Sequence, residues 1–190
     1  MTTEVRLNPL ATRSGDHFEW WTLERLGFAC ELIQADSRYA FLAYDPRGFA
    51  SAETAYGIWR IEGTGGMHPE FVVKEGSTGE LLVAGKRKGL FGIGHKASVE
   101  LCGKHQLSWG PKDFLGISYR FQSERSEELI TQRQPIFRYQ RWQGQTVNYK
   151  CTDVQLRPAA ARLQEADQML LLVLAQCLDP GPRPLGYTPG

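Results

Sequence analysis

One stretch near the end of the chain constrains the fold more than any other. In Met169-Leu170-Leu171-Leu172-Val173-Leu174-Ala175, seven consecutive residues are apolar. They lie inside residues 159–178, a segment rich in helix formers that Pro158 opens and Asp179-Pro180-Gly181 stops. Its first half is amphipathic, with Arg162, Glu165 and Asp167 among Leu163 and Ala166. Its second half is apolar on every side. A helix that is apolar all round has to be enclosed all round. Seven residues fall far short of the roughly 20 needed to span a bilayer, so no transmembrane segment is expected and protein must supply the enclosure.

The rest of the chain reads as strands. Period-two alternation, β-forming residues and turn signals mark eleven candidates, at residues 28–34, 39–44, 56–62, 71–75, 80–88, 97–101, 106–109, 117–122, 128–131, 136–142 and 146–151. Turns fall at 45–48, 63–66, 76–79 and 143–144, where Gly, Pro, Asp and Ser gather. In residues 116–122 the apolar set is Ile117, Tyr119 and Phe121, which predicts one inward face. Phe18, Trp20 and Trp21 read as core residues of a first strand, the alternative being an aromatic patch for a partner or membrane surface. The natural enclosure for the helix is then the sheet itself, curled around it. The fold predicted is mainly β: a closed barrel of about eleven or twelve strands with a buried apolar C-terminal helix. The competing arrangement packs the helix on one sheet face and covers its other side with a second copy. Residues 1–16 read as an N-terminal arm, 17–179 as the single barrel domain with its helix at 159–178, and 180–190 as a flexible Pro/Gly-rich tail.

Composition narrows the function classes. The formal net charge is +1, which argues against a nucleic-acid partner. Cys30, Cys102, Cys151 and Cys177 are widely spaced with no CxxC pair, as expected of free thiols in a reducing, cytoplasmic setting. The N-terminus lacks the basic start and apolar run of a signal peptide.

No catalytic or cofactor motif survives inspection. Residues 85–96 combine glycines with Lys86, Arg87, Lys88, His95 and Lys96, but the spacing is wrong for a phosphate loop and Arg87 stands where a hydroxyl is needed. Gly89, Gly92 and Gly94 do not form a dinucleotide fingerprint. Cys102 and His105 have metal-like local spacing without a second pair, so no metal is expected. Asp16 with His17, and His68 with Glu70, lack a matched nucleophile. What the segment does offer is an anion site at Lys86, Lys88 and Lys96, set against the plainer reading of a solvated hairpin whose lysines protect an edge.

About a dozen short strands followed by one apolar C-terminal helix, residues 169–178, resembles the tubby C-terminal-like superfamily, which includes tubby domains, LURP-one-related proteins and phospholipid scramblases. Residues 79–88, Gly-Glu-Leu-Leu-Val-Ala-Gly-Lys-Arg-Lys, are similar to that group's stretches of glycine, apolar strand and basic residues. The resemblance covers about residues 25–178. It implies a closed barrel with a threaded helix and a non-catalytic binding module for phosphoinositide head groups, with Lys86 and Lys88 as the nearest match. Only Asp153 and Asp179 flank the helix, so the acidic calcium-binding stretch of the scramblases is not reproduced. The functional expectation is a non-catalytic binding domain without cofactor, for an anionic ligand such as a phospholipid head group. Its alternatives are a protein–protein adaptor or homo-oligomer, with an apolar patch near Trp20, Trp21 and Trp109, and an enzyme whose site is assembled from distant residues such as His68, Glu70 and His105.

Overall fold

The structure is a computed structural model. It describes residues 7–11, 16–23, 29–45, 49–63, 70–88, 96–133, 136–142 and 145–178, giving the backbone alone for 136–142 and 145–150. Strands β1 (His17–Leu23), β2 (Ala29–Gln34), β3 (Ser37–Tyr44), β4 (Ala50–Thr54), β5 (Gly57–Gly63), β6 (Glu70–Glu75), β7 (Leu81–Lys88), β8 (Lys96–Leu101), β9 (His105–Pro111), β10 (Ser118–Ser123) and β11 (Glu128–Arg133) pair each with the next, all antiparallel. β12 (Ile136–Trp142) and β13 (Gln145–Leu156) follow. β13 closes the ring: residues 154–156 pair with β11 and residues 149–155 with β1. β12 pairs with the first part of β13 and stands outside the ring, leaving a closed barrel of 12 antiparallel strands. Closure removes the edges of the ring, and β12, paired only with β13 among the described strands, remains as an edge strand.

Helix α1 (Glu165–Leu178) enters this ring, and from Gln168 to Ala175 every residue is buried. Contacts reach it from around the wall. Trp20 Nε1 of β1 donates to the Leu172 carbonyl at 3.3 Å, the Tyr44 hydroxyl of β3 to the Gln176 carbonyl at 3.5 Å, and Arg87 of β7 to the Cys177 carbonyl at 3.2 Å. The last turn of the helix has no basic residue of its own, so Arg87 supplies from the wall the cation that a helix C-terminus favours. The helix begins at the mouth bounded by the β4–β5, β6–β7 and β8–β9 turns, here called the entry mouth. There Tyr56 donates to Glu165 at 3.0 Å and the Cys102 thiol to Asp167 at 3.3 Å.

Several details depart from the pattern reading. The helix does not start at residue 159. Pro158–Arg162 forms a 3₁₀ turn, and Leu163 is extended (φ −88°, ψ 154°) before α1 begins at Glu165. The chain has to swing from the wall to the barrel axis, and a continuous helix could not make that bend; the Arg157 amide on the Leu129 carbonyl and Arg162 on Glu127 tie the turn to the rim. β4 was not expected, because Ala50-Ser51-Ala52-Glu53-Thr54 has weak β-formers. It alternates all the same, Ala50 and Ala52 inward, and the small Ala52 sits directly opposite the bulky inward Trp59. β13 extends five residues beyond the predicted strand end at 151, to Leu156. Ile117 lies in a loop and is half exposed, while Tyr119 and Phe121 do point inward. Phe18 and Trp20 are core residues, and Trp21 on the outer face donates to Glu19 at 2.7 Å. Within the predicted arm, residues 7–11 are docked: the Asn8 amide donates to Arg38, and the buried Leu10 donates its amide to the Tyr56 hydroxyl. The 180–190 tail and the 143–144 turn lie outside the described residues.

Candidate functional site on the outer wall

The helix and the inward side chains occupy the lumen, where barrels of other design hold a ligand or a channel. Recognition chemistry is therefore sought on the outer wall and at the mouths. Alternation along β7 turns Val83, Gly85 and Arg87 inward and Lys86 and Lys88 outward. Gly85 is demanded by packing: a Cβ there would lie 2.1 Å from Cζ of Phe71, whose ring covers it.

The three predicted lysines share this outer wall but not one cluster. Lys88 is directly opposite Lys96 in the β7–β8 register. Lys86 is opposite Ser98, one outward row away, and its ammonium lies 3.4 Å from Glu70, both side chains exposed. Like charges directly opposite on one sheet face repel, so the Lys88–Lys96 pair is a local cost to the fold. Neither has an ion-pair partner among the described residues. The Lys96 stem passes over β9, with Cγ 3.4 Å from the point where a Gly110 side chain would begin, so Gly110 gives the lysine its berth. His95 lies outside the described residues.

Positive charge continues beyond Gly110 into a part of the wall that carries no sequence motif. Gly110 is opposite Arg120, and Arg120 opposite Thr131. Glu128 gathers Lys112 at 3.0 Å, Arg120 at 2.9 Å and Arg157 at 3.7 Å. Burial alone would raise the Glu128 pKa, but Lys112 and Arg120 outweigh it and hold the carboxyl below its ordinary value. One carboxylate among three cations leaves a surplus of positive charge, and Arg133, opposite Ser118, adds another. A hollow of about 360 Å³ opens here, with Lys112, Arg133 and Arg157 on one side and Glu19 and Asp153 on the other.

The remaining candidates do not assemble into a reactive centre among the described residues. His105 is exposed at the start of β9, Glu70 is engaged by Lys86, and His68 lies outside the described residues. Cys102 is tied to Asp167, and burial first, then Asp167, pushes its thiol up to about 11. Burial pushes Cys177 up to about 12 and raises Cys30 well above the ordinary value, so all three thiols stay protonated at neutral pH. Glu19, Cys151 and Asp153 place ligand-type atoms within 4.8 Å of one another on the β1–β13 wall, but Glu19 already accepts from Trp21 and all three are engaged in further contacts.

The apolar patch expected near Trp20, Trp21 and Trp109 is not there, because Trp20 and Trp109 are buried. Large apolar side chains are exposed instead on the β9–β10 loop, at Phe114, Leu115 and Ile117, and also at Phe49, Ile58 and Leu81. No helix among the described residues is long and apolar enough to cross a membrane. Comparisons with protein-family models, with curated proteins and with solved structures find no match.

Proposed function

We propose that this chain is a non-catalytic binding domain whose outer wall takes an anionic, phosphate-bearing group, a phospholipid head group above all. The observation that carries the reading is the Lys88–Lys96 pair: two cations held opposite each other, on a wall whose surplus charge is positive, at a cost that a bound anion would relieve. Lys86 stands one row behind, where Glu70 offsets it. Exposed lysines near an anionic surface contribute about 1 kcal/mol each. A cytoplasmic setting is part of the same reading, supported by four cysteines that form no disulfide with one another. The likeness to the tubby group is likewise a proposal, resting on architecture, a closed barrel around one C-terminal helix.

The test is co-sedimentation with vesicles of neutral lipid and of neutral lipid doped with anionic lipid, at low and high ionic strength. Binding is expected for the anionic vesicles, weakening as salt rises. The double variant Lys88→Ala/Lys96→Ala is expected to bind roughly thirtyfold more weakly, two lysines at about 1 kcal/mol each. Competition by inorganic phosphate separates a free-phosphate site from a membrane-bound one. Equal binding by the double variant sinks the reading.

A further inference from the structure

The β9–β10 loop, residues 112–117, is the least expected surface of the molecule. Relative exposure is 103% for Phe114, 75% for Leu115 and 53% for Ile117, so the phenyl ring touches almost nothing of its own chain. Apolar surface of this kind, gathered on one loop, usually marks an interaction site. The loop is also internally braced. The Asp113 carboxylate accepts the amides of Ile117 at 2.8 Å and Ser118 at 2.9 Å together with the Ser118 hydroxyl. The Lys112 amide donates to the Ser118 carbonyl at 2.8 Å, and Gly116 takes the left-handed conformation (φ +64°) that closes the turn. The Ser118 hydroxyl first, then the Ile117 amide, hold Asp113 below its ordinary pKa, so its charge is spent on the loop's own backbone.

Cations surround this tip. Lys112 belongs to the loop and shares Glu128 with Arg120, Lys96 lies across Gly110 on one side, Lys88 is beyond it, and Arg133 stands opposite Ser118 on the other side. A convex apolar tip asks a folded partner for a matching hole, whereas a bilayer interface accepts it without any demand on shape. Surrounding positive charge complements an anionic leaflet and nothing apolar.

We propose that Phe114, Leu115 and Ile117 form a preformed prong that enters the interface of an anionic bilayer, while Lys88, Lys96, Lys112 and Arg133 meet the head groups. The inference rests on the outer-wall reading and adds an orientation: the barrel stands with the mouth opposite the helix start against the membrane. Because the loop is braced before contact, little ordering opposes insertion.

The experiment uses the full chain with anionic vesicles, some carrying brominated acyl chains. Phe114→Trp adds a tryptophan at the tip, and its added fluorescence is expected to be quenched by the brominated chains. Phe114→Ala/Leu115→Ala is expected to lower vesicle binding tenfold or more, since burying one large apolar side chain corresponds to about ten- to hundredfold in an equilibrium constant. Its unfolding midpoint should match that of the unmodified chain, which excludes misfolding as the cause. An unquenched tryptophan, or unchanged vesicle binding by the loop variant, overturns insertion. If Phe114→Ala/Leu115→Ala binds as the unmodified chain does while Lys88→Ala/Lys96→Ala binds about thirtyfold more weakly, insertion fails and the head-group reading survives. If the unmodified chain binds no vesicle, both fail. A dimer in sedimentation velocity that the loop variant converts to monomer, without vesicle binding, overturns the proposal in favour of a second copy.

Discussion

The two mouths of the barrel are built differently. At the entry mouth, the connections between consecutive strands from β2 to β11 run from two residues (35–36) to five (76–80). At the opposite mouth, those from β1 to β10 run from five (24–28) to seven (89–95). The short turns are bonded to themselves or to the start of the helix. Glu75 accepts the amides of Ser77 and Thr78 and both hydroxyls, while Tyr56 and Cys102 grip the start of the helix. Leu10 is buried beside Tyr56. The β9–β10 loop at the far mouth also spends its polar groups on itself, yet it leaves its apolar side chains in solvent. Phe49, another exposed aromatic, precedes β4 at the same mouth. The entry mouth buries Leu10 against its turns, although Ile58 and Leu81 there stay half exposed. The β9–β10 loop holds Phe114 and Leu115 further out, which costs the fold nothing in packing and leaves that surface available for binding.

One chemical change made in two places puts this contrast at risk. Leu171→Ala, inside the barrel, should cost about 2–5 kcal/mol of unfolding free energy, since Leu171 is fully buried on the helix. Leu115→Ala at the far mouth should stay within about 0.5 kcal/mol. Denaturant unfolding of the two variants measures both, and comparable losses would break the comparison. A smaller effect is expected at Gly85→Ala, where the new Cβ meets the Phe71 ring and forces it aside, at about 1–3 kcal/mol. An unchanged midpoint would mean that the ring moves freely and that the interior is looser than its burial implies.

The smallest effect concerns pH at the entry mouth. The Thr78 amide first, then the Ser77 hydroxyl, lower the Glu75 pKa from 4.5 to about 2. A carboxyl depressed on folding stabilises fully above its unfolded value and loses that contribution as pH falls. The Glu75 contribution should therefore be complete above about 4.5 and vanish toward 2. Glu75→Gln should flatten the acid limb of the stability profile in that window and leave vesicle binding alone. An acid limb identical to that of the unmodified chain would show that the turn contributes nothing through this charge.

How much could be read beforehand follows from what each signal reports. Alternation along β7 was legible, and the parity of Val83, Gly85 and Arg87 already pointed the arginine inward. It was read as one of a basic run because a charged side chain is expected in water. Ile117 was read inward for the mirror reason, since apolar residues are taken as core until a structure shows them outside, and Phe114 and Leu115 fell between two predicted strands and carried no pattern. β4 escaped because burial beside Trp59, not β-propensity, keeps its alanines in a strand.

By itself, the amino-acid order determined that residues 169–175 must be surrounded and that many short strands were at hand to do it. Those conclusions need only local periods and the cost of exposing apolar surface, which every segment carries within itself. Tertiary structure alone decided that His17–Leu23 would meet Gln145–Leu156, where the ring closes, that Arg87 would cap the helix, and that Lys88 would face Lys96. These are pairings between distant segments, and register and closure set them together, because each depends on where every other strand has already been placed.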